Sequence, residues 1–205
     1  MKNSVLDLLH DHYKESFAYI REREKGRNRL FLLVILLAGA LFLQIQYPLN
    51  FKAAIGDLKL PNASLSLESL PLSSLLSLTW TFLFVLTLQY CQHSVHVERQ
   101  YRYLHLLEDK ISDWLGDGDI YRREGRVYLE DYPAFSNWTW IFYTFLFPIL
   151  MLVSVIALFV LEFSKLDYSI YYKIYDSFLG TGVLVSLFLY KFAPLFQRKK
   201  DNTGG

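Results

Sequence analysis

Residues 30–49 read LFLLVILLAGALFLQIQYPL, twenty positions without a formal charge. The hydrocarbon core of a bilayer is about 30 Å thick and a helix rises about 1.5 Å per residue, so roughly 20 apolar residues cross it. Working outward from this stretch, the chain repeats the pattern. Residues 70–92 (LPLSSLLSLTWTFLFVLTLQYCQ) and 138–161 (WTWIFYTFLFPILMLVSVIALFVL) are also uncharged. Residues 177–196 carry one lysine, Lys191, near enough to the end to reach the interface. Four such runs in 205 residues predict an all-α membrane protein, a four-transmembrane-helix bundle with a small cytoplasmic helical head. Segments of a soluble core do not account for uncharged runs of this length.

Lysine and arginine set the expected orientation, because they accumulate on the cytoplasmic side of a membrane. Seven precede the first run, six lie between the second and third, and four lie in the tail region from Lys191 onward. Only Lys52, Lys59, Lys165 and Lys173 fall elsewhere, a split of seventeen against four. Both termini and the middle segment are therefore expected in the cytoplasm, with the chain in the plasma (inner) membrane. The predicted organisation is a cytoplasmic amphipathic helix at 1–29, spans at 30–49 and 70–92, a cytoplasmic stalk and hairpin at 93–137, and spans at 138–161 and 177–196. Outer loops occupy 50–69 and 162–176, and a cytoplasmic tail 197–205. No cleavable signal is expected, since an acid- and base-rich segment precedes the first apolar run.

Before that run, Leu6, Leu9, Tyr13, Phe17 and Ile20 recur at helical spacing. Asp7, Asp11, Glu15, Glu22 and Glu24 disfavour an anionic lipid surface, so this helix is expected to pack on protein. The second span has no breaker at its inner end. Val97, Tyr101, Leu104, Leu107, Ile111 and Leu115 prolong its apolar stripe until Gly116 and Gly118 stop it. Such a stalk needs a partner for its stripe, and the N-terminal helix is the nearest. Beyond it, IYRREGRVYLEDYP (120–133) alternates about Glu124-Gly125 and reads as a short β-hairpin ended by Pro133.

Chemical motifs are scarce. Cys91, His93 and His96 cluster in sequence, but no second ligand pair stands at zinc spacing, so interfacial helix residues are the better reading. The acids of LGDGDIYRRE miss the calcium-loop positions, with Tyr121 and Arg122 where an acid and a glycine belong. No nucleophile elbow, zinc-protease, P-loop or dinucleotide fingerprint occurs, and no catalytic residue, metal site or cofactor is expected. No carboxylate or histidine falls in the middle of a run, which lowers intramembrane catalysis and ion-coupled transport. A net charge of +1 leaves no field for direct nucleic-acid binding. Within the runs, Gly39, Ser74, Ser77, Thr81, Gly180 and Gly182 are candidates for close helix packing, or for lining a narrow pore between subunits. Pro148 is expected to kink the third span.

The balance favours a non-enzymatic membrane subunit, embedded in the lipid bilayer and expected to form a homo-oligomer. Its head would dock a cytosolic protein and relay a membrane signal. The docking candidates are Tyr101, Arg102, Leu104, Ile111, Trp114, Arg122, Arg123 and Arg126. The rival expectation is an oligomeric pore or membrane-disrupting effector lined by the polar face of the second span. In layout, the chain resembles small four-span subunits encoded in bacterial defence operons, which implies a cytosolic effector as partner and a role against phage.

Overall fold

In the computed structural model the described residues are 2–56, 70–115, 138 and 141–201, with side-chain environments given for most of them. Every regular element among them is helical: α1 (Lys2–Gln46), α2 (Pro48–Gly56), α3 (Leu72–Leu115), α4 (Phe147–Lys165) and α5 (Ile170–Asp201). A π-helical turn, Phe142–Leu146, leads into α4. Pro148 falls at the start of α4, where a missing N–H costs little, so the irregularity expected of it lies before the helix instead of within it. The predicted hairpin at 120–133, and with it Arg122, Arg123 and Arg126, lies outside the described residues. So does most of the first outer loop, although its beginning forms α2 after Pro48 ends α1.

Three helices contain stretches long and apolar enough to cross a membrane, within Leu6–Gln46, Leu72–Leu115 and Phe147–Lys165. The fourth run lies in α5, where Lys173, Asp176 and Lys191 interrupt the apolar sequence. Two of the helices are continuous, the second as the sequence suggests and the first beyond what it suggests. The N-terminal amphipathic helix and the first span form one 45-residue helix, and the second span runs without a break into its stalk, 44 residues in all.

The chain divides into two compact units, and α1 and α3 contribute to both. The first comprises Met1–Arg29 and Gln92–Phe145. Here the opening of α1 and the end of α3 run antiparallel, as their pairings show. Tyr13 donates to Glu108 at 3.2 Å, Tyr101 donates to Glu24 at 3.1 Å, and Tyr19 meets His96 edge-on at 5.5 Å. Gly26 lets the helices approach, since a Cβ there would stand 3.2 Å from the His93 ring. Ile20, Val97, Leu104, Leu107 and Ile111 are buried, so the stalk's apolar stripe does find its partner in the N-terminal helix.

The second unit comprises Leu30–Cys91 and Leu146–Gly205. Aromatic contacts order its helices: Phe31 and Tyr90 both meet Phe147, at 4.6 and 5.3 Å, and Tyr90 meets Tyr190 at 6.2 Å. With Gln44 bonded to Thr79, and Lys165 to Gln46, α1 and α4 run one way and α3 and α5 the other. This unit exposes large apolar side chains and buries several polar ones among its apolar core. Leu36, Phe82, Val153, Val160 and Phe178 are exposed, while Gln44, Thr79, Thr87, Glu162 and Asp176 are buried. Water does not favour that inversion, but hydrocarbon does.

Candidate functional site

α4 buries one stripe: Phe147, Met151, Val155, Leu158 and then Glu162. The spacing is helical throughout, so Glu162 continues the inward face one turn past the last aliphatic residue. On α5 the buried stripe of Leu179, Val183 and Leu187 extends backward to Asp176. The two stripes meet at the α4–α5 corner, closed by the linker 166–169. Both carboxyl side chains there have no solvent-accessible surface.

Each oxygen of Glu162 has a donor. The Trp80 indole N–H donates to Oε2 at 2.9 Å, and the Tyr168 hydroxyl donates to Oε1. Trp80 is itself fully buried and stacks on Phe159, with centroids 5.2 Å apart. The Tyr168 oxygen also stands 3.4 Å from Asp176 Oδ2. Asp176 is in addition close enough to Ser77 and Glu162 to be influenced by both, although its Oδ1 and the Ser77 hydroxyl complete no hydrogen bond. Burial, with the adjoining Glu162 carboxyl, raises the Tyr168 phenol above its usual range, so it remains a donor.

Lysines surround the corner without entering it. Lys173 places its ammonium over the Tyr168 and Phe163 rings, 5.5 and 5.6 Å from their centroids, and Lys165 bonds to Gln46. Among the described residues no Lys, Arg or His nitrogen comes within 4.0 Å of either carboxyl. Nor, among them, do three His, Cys, Asp or Glu side chains assemble as a metal-binding group. The arrangement suits holding and moving a proton better than coordinating a metal.

The packing candidates separate into distinct roles. Ser74 and Thr81 face α5, pairing with Tyr172 at 3.2 Å and Tyr175 at 3.1 Å, and Ser77 lies beside Asp176. The hydroxyl face of the second span is thus engaged within its own unit. Gly180 lies under Phe159 and Gly182 under Phe84, whereas Gly39 is exposed and meets nothing within 4 Å.

In the head, the docking candidates divide by face. Leu104 and Ile111 are fully buried on the stalk's apolar stripe, within the unit's core. Tyr101 is half-buried and bonded to Glu24. Arg102 and Trp114 are exposed, alongside Tyr103 and Leu106, which the sequence reading passed over. The carboxyl pair was also passed over. Its sequence signal is the helical period of the apolar stripes, followed beyond the last uncharged residue. In comparisons with known proteins, the chain matches no family model, no curated protein and no solved structure.

Proposed function

We propose that this chain is a non-enzymatic integral membrane subunit that docks a cytosolic protein through its head and relays a membrane signal to it. In this reading α5 is the fourth span, both termini and residues 93–137 face the cytoplasm, the bilayer is the plasma membrane, and the subunit self-associates. One observation carries the docking role. Tyr103, Leu106 and Trp114 are exposed on α3, beside Arg99 and Arg102, while the opposite face of that helix is packed on α1. Exposed aromatic residues beside arginine are the side chains that dominate protein interfaces, and their charged surroundings do not suit hydrocarbon. The partner that fits offers an apolar ridge flanked by carboxylates. The pore reading draws no comparable support, because Ser74 and Thr81 already have partners on α5.

Purification in mild detergent without cross-linker tests the proposal. The wild-type chain is expected to bring down one cytosolic protein in fixed stoichiometry, and Leu106→Asp with Tyr103→Ala is expected to lose it while keeping the melting temperature. A homogeneous wild-type complex without a cytosolic protein sinks the docking role.

A further inference from the structure

Glu162, Tyr168 and Asp176 form a connected buried group with too few hydrogens for its oxygens. The Tyr168 phenol has one hydrogen, and that hydrogen is committed to Glu162 Oε1. Its oxygen also lies 3.4 Å from Asp176 Oδ2, too long for a full O–H···O bond, so that carboxyl oxygen has no donor of its own. Among the described residues the donors beside the four carboxyl oxygens are the Trp80 indole, the Tyr168 phenol and the Ser77 hydroxyl. Ser77 is 7% exposed and without a hydrogen-bond partner, and Asp176 Oδ1 likewise lacks one. Three hydrogens thus meet four acceptors. Among the described residues no cation stands beside the two carboxyls, and adjoining buried carboxylates without one do not both stay ionised.

The charged groups on the surrounding elements do not relieve this. Among the described residues, α3 contributes Trp80 and Ser77, both neutral. On α4, Lys165 is bonded to Gln46 of α1, and on α5 Lys173 lies over aromatic rings. Asp167 in the linker is exposed and adds a negative charge, not a positive one.

We propose that the Glu162–Tyr168–Asp176 group is a proton-binding site that takes up one proton from solvent onto Asp176 Oδ2. The carboxylate becomes a neutral acid that donates to the Tyr168 oxygen, and Tyr168 donates onward to Glu162. Ser77, whose hydroxyl has no other partner, is placed to donate to Asp176 Oδ1, and Trp80 completes the hydrogen bonding of Glu162. Every acceptor then has a hydrogen, and the group carries one negative charge instead of two. Tyr168, half-buried on the linker, is the passage by which the proton enters and leaves.

Infrared difference spectroscopy of the full chain in lipid nanodiscs tests this directly. At neutral pH the wild type is expected to show the carbonyl band of a neutral carboxylic acid, shifted by deuterium and lost as pH rises. Asp176→Asn is expected to abolish that band and to flatten the fall in thermal stability that accompanies proton release in the wild type. Ser77→Ala is expected to move the band's frequency without removing it. Absence of the band from wild type at neutral pH overturns the proposal whether or not the variants fold. So does a band that persists in folded Asp176→Asn. A wild-type melting temperature raised by sodium or potassium over N-methylglucamine, at equal ionic strength, shows instead that an alkali-metal ion neutralises the pair.

Discussion

Phe159 lies where a side chain at position 180 would have to go. A Cβ on Gly180 would come within 2.1 Å of the ring's Cζ, and the same ring stacks on Trp80 at 5.2 Å. The ring cannot yield without disturbing the indole that holds Glu162. Gly180→Ala is therefore expected to cost about 1–3 kcal/mol, the usual penalty of overpacking. At Gly39 nothing lies within 4 Å, and alanine there should change the stability of the single chain by no more than about 0.5 kcal/mol. Titration with a denaturing detergent separates the two. Equal effects would mean that Phe159 does not lock the corner.

The end of α3 makes the same distinction across a whole helix. Leu104 is fully buried and Leu106 is 60% exposed, although they are two residues apart. Truncating Leu104 to alanine should cost about 2–5 kcal/mol, whereas Leu106→Ala should stay within about 0.5 kcal/mol. Chemical unfolding monitored by circular dichroism reads the difference, and a costly Leu106→Ala would refute the assigned face. The existence of this helix, its length and its pairing with the N-terminal segment were legible in the sequence, since an amphipathic stripe must be covered. Which stripe residues face outward was less so. Leu104 and Leu106 are chemically identical, and only their angle about the axis tells them apart. Glu162 and Asp176 escaped notice for a related reason. A charge conventionally ends a span, so both were assigned to a loop, yet each occupies the next inward position of its helix. Composition marks the edge of a membrane segment, whereas periodicity marks what faces inside.

At the scale of the molecule, the second unit's exposed apolar surface, with polar groups buried beneath it, suits a chain dissolved in lipid. The proposed sidedness can be checked without background from the native thiol, because Cys91 is the single cysteine and is buried. In intact cells, Ala53→Cys should react with a membrane-impermeant maleimide, and Ala18→Cys should react only after the membrane is opened. Both positions are exposed. Labelling of both in intact cells would refute the topology. The bond from Trp80 to Glu162 has one more consequence. Trp80 is fully buried, while Trp114 and Trp138 are exposed. With Trp140 replaced by phenylalanine, aqueous quenchers can therefore silence those two and leave an indole whose N–H ends on a carboxyl group. Its emission reports the local electric field, so the protein carries a built-in optical gauge of the charge at its own buried corner.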